Sequence, residues 1–168
     1  MTASQGLAQL FQYKRWANQE LLALGAASQG ALPADDYRLF VRILNHTYVV
    51  DRIFASHLQG LPQTTYQATN TEETPELATL SDTVRASDDW YVQYVGGLDD
   101  AQLAEPVAFR FTDGDTGRMS RSEILNHLVV HGTYHRGAAG RILAAHAVQP
   151  PRDSLTTFLH RLEPDRRW

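Results

Sequence analysis

The chain has 168 residues and none of them is cysteine. That absence excludes disulfides, thiolate metal ligands and a cysteine nucleophile together. Long apolar runs are also missing. No stretch approaches the ~18 apolar residues of a membrane span, and the start MTASQGLAQLFQYKRWANQ lacks the uninterrupted apolar core of a signal peptide. No membrane association is expected, and the cytoplasm is the expected location. There is no basic excess either: the formal net charge is −4 and the pI about 5.9, so nothing electrostatic points to a nucleic-acid partner. Internal repeats and low-complexity segments are absent.

What is present reads as a soluble globular chain, with 43% hydrophobic and 20% charged residues. Its length suits one domain over residues 1–168 with a single core.

The chemistry concentrates between Ser120 and His146, SRSEILNHLVVHGTYHRGAAGRILAAH. Ser120-x-x-Glu123 forms a capping box directly before an apolar run, which predicts a helix start. At about 100° per residue, Ile124, Leu125, Leu128, Ala138, Ala139, Ile142 and Leu143 fall on one stripe. His131 and His135 lie inside that stripe and His127 at its margin. A buried imidazole must find partners or lose roughly 1–3 kcal/mol per unmet group. Two imidazoles one turn apart, ~5–6 Å at Cβ, can instead converge on one ion. The pair is either His127 with His131 or His131 with His135, and the deeper position of His135 favours the second. Gly132 stands where a zinc protease would carry its glutamate base, which removes that reading. Gly132, Gly137 and Gly140 each cost the helix up to about 1 kcal/mol, a cost that close approach of a neighbouring helix or a ligand would offset.

A third ligand must come from another element. Residues from about Ser4 to Gly25 read as a helix with Leu7, Leu10, Phe11, Ala17, Leu21 and Leu24 inward, and with Tyr13, Trp16 and Glu20 on other faces. Trp16 reads as packing at a helix junction. A second helix, capped by Asp35 or Asp36, runs to about Gly60 with Phe40, Ile43, Leu44, Thr47, Val50, Phe54 and Leu58 inward. His46 lies on the flank of that stripe and is the best third ligand. His57 has nearly the same angle but sits ~16 Å further along, so only one of the two can serve the same ion. The polar segment Leu61–Thr74 reads as a connector. Thr74-Pro75-Glu76 is expected to start a third helix that Gly96-Gly97 end. Between Glu105 and Met119, PVAFRF and TDGDTG predict a short hairpin. After the long histidine helix and Pro150-Pro151, SLTTFLHRL reads as a small closing helix, followed by a charged tail from Glu163 to Trp168. Four amphipathic helices with one long crossover describe an all-α four-helix bundle, whose facing side chains are where metal sites are built.

The stretches YKRWANQELLALG, LNHTYVVDRIFASHLQG, NHLVVHGTYHRG and PPRDSLTTFL together resemble the DinB-like, YfiT-related family of metal-dependent enzymes. The likeness runs nearly the whole chain in order and is most specific in the histidine helix. It implies an up-down-down-up four-helix bundle, commonly dimeric, that holds a divalent metal, often zinc or nickel, through three histidines. By that resemblance the ligands are His46, His131 and His135. Relatives of this kind are thiol-dependent transferases and isomerases using bacillithiol, mycothiol or glutathione. Two positions depart from the pattern: Ala138 stands where many relatives have Gln, and Tyr134 where many have His. Both bear on the site rim rather than on a ligand.

Three imidazoles on a divalent ion leave a coordination position open, as catalytic sites do. The expected chemistry is activation of an incoming low-molecular-weight thiol for attack on an electrophile. Hydrolysis through a metal-activated water is the runner-up. A catalytically silent, stress-associated metal-binding homodimer belongs to a different class. Tyr134, Arg136 and Asp51 are candidate contacts around the metal or substrate, although Arg136 points a quarter-turn off the stripe and Asp51 could pair with Arg52 or Arg15 at the surface.

Overall fold

Four helices begin where a side chain caps backbone N–H groups that have no partner inside the helix, one of them through Ser154, which accepts from the Thr157 N–H. Thr2 with Gln5, Asp99 with Gln102 and Ser120 with Glu123 each form a reciprocal capping box. The computed structural model describes residues 1–166. Its helices are α1 (Ala3–Ala27), α2 (Ala34–Leu58), α3 (Leu77–Gly96), the single turn α4 (Asp100–Leu103), α5 (Arg121–Ala145) and α6 (Leu155–Leu162). The strands β1 (Pro106–Arg110) and β2 (Thr116–Ser120) pair antiparallel with Val107 opposite Met119, which is the expected hairpin.

Two starts differ from the sequence reading. Helix α2 begins after Pro33 with no side-chain cap, so Asp35 and Asp36 lie inside its first turn, where their charge favours the positive end of the helix dipole. Helix α3 begins at Leu77 after Glu76, past the Thr74-Pro75 cap, because the chain before Leu77 is still tied to α2: Arg42 donates to the carbonyls of Thr71 and Glu72. Of the charged tail, Pro164–Arg166 forms a 3-10 turn, and residues 167–168 lie outside the described residues.

Contacts between helices fix their directions. Phe11 stacks on Tyr91 while Gly25 lies beside Leu77, so α3 runs against α1. A Cβ on Gly25 would stand 2.4 Å from the Phe40 ring, a close approach of α1 to α2 that needs glycine. With Lys14 on Asp51, these contacts also make α2 antiparallel to α1. His46 meets His131, and Asp36 meets His146, so α5 runs against α2 and along α1. The order is up-down-down-up. Because α2 and α3 run the same way, residues 59–76 must travel back along the bundle between them. Among the described residues no helix is long and apolar enough to cross a membrane.

The core falls into two large apolar clusters and one small one. One large cluster includes Phe11, Phe54, Tyr91, Leu125 and Leu128; the other includes Leu21, Phe40, Leu80, Ala139 and Leu143. Between these clusters each long helix buries a polar residue: Lys14 on α1, Asn45 on α2, Asp88 on α3 and Arg136 on α5. Lys14, only 1% exposed, donates to Asp51 at 2.6 Å and Asp88 at 3.0 Å, and Asn18 donates to Asp88. Asp51 is therefore buried and paired with Lys14, not with Arg15 or Arg52 at the surface; Arg15 pairs with Asp89 instead. Arg136 belongs to the same layer, donating to Asn18 and bonding Asp153 at 2.7 Å. Tyr13 and Ala17 pack with Phe158 of α6 as a third apolar cluster, so Tyr13, read as lying on another face, is buried. Trp16 packs at that junction, its ring 5.7 Å from Phe158.

Candidate metal centre

The central polar layer opens on one side of the bundle into a group of imidazoles. Helix α5 presents His131 and His135 one turn apart, with ring centroids 4.5 Å from each other. Helix α2 brings the His46 ring to 5.0 Å from His131 and 4.7 Å from His135. One donor atom from each of the three lies within 4.8 Å of the others. These are the three residues that the family resemblance implied, gathered from two antiparallel helices and all partly buried.

The arrangement fits a divalent ion on several grounds. The Nε2 atoms of His46 and His131 face each other at 3.1 Å. Nitrogens held ~2.0–2.1 Å from one ion at a tetrahedral angle stand ~3.4 Å apart, so the observed spacing is close to a ligand spacing. On the other side of the ring, His46 Nδ1 lies 2.6 Å from the Thr69 carbonyl oxygen, which can only accept. His46 therefore carries its proton on Nδ1 and turns the Nε2 lone pair inward, the usual division of labour in a ligating histidine. His131 Nδ1 is buried and meets no hydrogen-bond partner among the described residues.

Electrostatics agree with that geometry. Burial, reinforced by the neighbouring His135 and His46 rings, pushes the pKa of His131 down to about 3. Burial, with His46 as the lesser cause, lowers that of His135 as well. Both rings are thus neutral at pH 7, as imidazole ligands must be.

The remaining sequence candidates fall outside the trio. The exposed His127 ring stacks on His131 with centroids 5.3 Å apart, and His57 lies further along α2 against Phe54 and Phe109. Tyr134 is 75% exposed, its ring edge-on to His135 at 5.2 Å, so it forms part of the rim. Arg136 and Asp51 are spent within the central layer rather than facing a substrate. Thr69 was missed because it sits in a segment that reads only as a connector. The crossover is in fact pinned along α2, where Asn45 donates to Asn70 and Thr71 at 2.6 Å each, and this sets the Thr69 carbonyl against His46.

A cavity of about 410 Å³ adjoins the trio, with His46 and His131 in its wall. The rest of that wall is largely apolar, supplied by Val50, Ile53, Phe54, Phe109, Phe111 and Met119. A second cavity of about 510 Å³ lies between α1 and α5 under Pro150 and Pro151, away from the three histidines.

Comparison with known proteins bears on the family to which the chain belongs. The chain is 25% identical over 169 residues to Protein DinB of Bacillus subtilis (strain 168), an alignment that covers 92% of this chain and 95% of that relative. The model of the DinB family matches residues 1–166. With its helical bundle and its three convergent histidines compatible with a divalent metal, the chain belongs to the DinB family.

Proposed function

We propose that this protein is a metal-dependent transferase that joins an incoming low-molecular-weight thiol to an apolar electrophile, with zinc or nickel held by His46, His131 and His135. The observation that carries the reading is the junction of three convergent imidazoles with an apolar chamber. Such a junction joins a charge-stabilising site to a seat for an organic substrate.

A bound divalent ion supplies positive charge that lowers the pKa of a thiol, so that thiolate is available at neutral pH. Every other part of the task falls to the chain. His46 is oriented by the Thr69 carbonyl, and His131 and His135 are kept unprotonated by burial. Phe54, Phe109 and Phe111 line the space beside them and keep water from an electrophile seated there. Because the chain has no cysteine, the attacking sulfur must arrive with a small molecule. In the reaction the thiol gives up its proton to solvent, a sulfur–carbon bond forms, and the leaving group, or the oxygen of a strained ring, keeps the electron pair of the carbon bond that breaks.

Conjugation of 1-chloro-2,4-dinitrobenzene with glutathione, cysteine or another small thiol, followed by absorbance, tests the reading. Zinc- or nickel-loaded protein is expected to accelerate conjugation with at least one thiol, and His46→Ala is expected to abolish the effect. Full metal occupancy without acceleration by any thiol would set the transferase reading aside in favour of a metal-binding protein without this activity.

A further inference from the structure

The crossover that supplies the Thr69 carbonyl has little apolar surface to hold it in place. Its segment from Gln67 to Thr74, QATNTEET, carries Ala68 as its one apolar side chain, so its position rests on hydrogen bonds to α2. Two residues of α2 make them. Arg42 reaches the Thr71 and Glu72 carbonyls and the Thr74 hydroxyl at distances between 3.2 and 3.4 Å. Asn45 makes shorter bonds, 2.6 Å to both Asn70 Oδ1 and Thr71 Oγ1, on the residues that directly follow Thr69.

Asn45 is an unusual residue for its place. It is 3% exposed and lies in the middle of a helix, where asparagine is a poor helix former and a buried amide without partners costs about 1–3 kcal/mol. Its bonds run to the crossover, and their direction is fixed by what the partners do elsewhere. Asn70 gives its own amide N–H to the Arg42 carbonyl, and Thr71 gives its hydroxyl to the Glu73 carbonyl, so the atom that each turns to Asn45 is an acceptor. Asn70 Oδ1 also accepts from the Thr71 N–H at 3.0 Å, which closes the chain tightly just beyond Thr69.

We propose that Asn45 is a positioning residue of the candidate metal centre: by clasping Asn70 and Thr71 it holds the Thr69 carbonyl on His46 Nδ1 and so keeps the His46 Nε2 lone pair turned toward the ion. The inference rests on the assignment of metal to the histidine trio and not on the transferase chemistry. Asn45 and His46 are successive residues, so α2 sends one side chain to the crossover and the next to the other imidazoles, and the crossover returns a carbonyl to the second. His46, Thr69, Asn70 and Asn45 thereby form one closed circuit. Without the carbonyl the ring is free to carry its proton on Nε2, the tautomer that cannot bind an ion through that atom. Partners that orient a ligating histidine in this way are typically worth about 10–100-fold in metal affinity.

The test measures the zinc affinity of tag-free, full-length protein by competition with a chelating dye. Asn45→Ala is expected to bind zinc about 10–100-fold more weakly than wild type. Asn70→Ala opens the clasp from the crossover side and leaves α2 untouched, so it carries the test even where Asn45→Ala loses helical content. It is expected to weaken binding in the same way, and the double variant to lose little more than either single, because all three open one circuit. A second readout needs no metal. In metal-free, 15N-histidine-labelled wild type at about pH 8.5, where an ordinary imidazole is neutral, the His46 nitrogens are expected to report a proton fixed on Nδ1. In either single variant they are expected to move toward the values of a ring that exchanges tautomers, a change that looser packing of α2 would not produce. Unchanged zinc affinity, additive losses in the double variant, or a His46 tautomer that stays fixed in both variants would each overturn the proposal. Wild type that binds no zinc would overturn the metal assignment together with it. Wild type that binds zinc beside variants of equal affinity refutes the role of Asn45 alone and leaves the trio standing.

Discussion

His131 lies on the apolar stripe of α5 with Nδ1 buried and unpartnered, and its folded-state pKa is about 3 against the ordinary 6.5. Between those values the unfolded chain binds a proton that the folded chain refuses, so this residue's contribution makes the metal-free fold less stable as pH falls through 6.5. Asp51 acts in the opposite direction, because burial raises its carboxyl to about 6 despite Lys14, but that effect is shared by any variant at position 131. Metal-free wild type is therefore expected to lose roughly 2–4 °C more in Tm between pH 7 and pH 5 than His131→Gln does. Parallel melting-temperature profiles would show that His131 titrates freely. At this scale much was legible. The spacing of His131 and His135 on an apolar stripe pointed to a pair, and the position of His46 pointed to its partner. Lys14 carries a signal of its own: it lies seven residues from both Leu7 and Leu21, and Asp51 lies seven from Leu44 and Leu58. A charge set into an apolar stripe signals a buried pair. The Thr69 carbonyl carries no such signal, because any residue offers a carbonyl and only the folded path of the crossover puts this one beside His46.

Helix α5 carries Gly132, Gly137 and Gly140, and the structure separates their roles. Gly132 faces Arg136 and Lys14 of the central layer, and Gly140 lies against Pro150. A Cβ on Gly137 would meet nothing within 4 Å, so no neighbouring atom offsets its helical cost. Gly137→Ala is expected to stabilise the protein by about 0.5–1 kcal/mol in urea unfolding, through propensity and the narrower unfolded ensemble. A loss of stability would reveal a constraint at that position. Elements were the most readable level of this chain, since each long helix announces itself by a stripe of period 3.6. Their first residues were less so. The starts of α2 and α3 depend on Pro33 and on the anchoring of residues 69–74 to Arg42 and Asn45, which are tertiary facts. The one-turn helix α4 is too short for any periodic pattern to reveal it.

Across the whole molecule, a polar layer at mid-height divides the apolar core and ties α1, α2 and α3 through one lysine. Removing that cation would leave Asp51 and Asp88 buried together with no cation bonded to either. Lys14→Met is expected to cost about 3–5 kcal/mol, read as a lower urea midpoint, whereas a cost under about 1 kcal/mol would mean that the layer is wetter than its burial implies. This layer is also what the histidines extend to the bundle's flank, so the candidate centre is built on a rigid platform where four helices are already in register. The division of the core was not legible from any one helix, because it emerges only when the polar positions of all four are brought to one height. The central claim is that the trio on this platform binds one divalent ion. Elemental analysis of tag-free protein after incubation with zinc or nickel and desalting tests it most directly, with His46→Ala, His131→Ala and His135→Ala measured beside the wild type and helical content checked by circular dichroism. The account predicts about one ion per chain in wild type and little or none in each folded variant. Wild type without metal, or variants that retain it in full, would contradict the account.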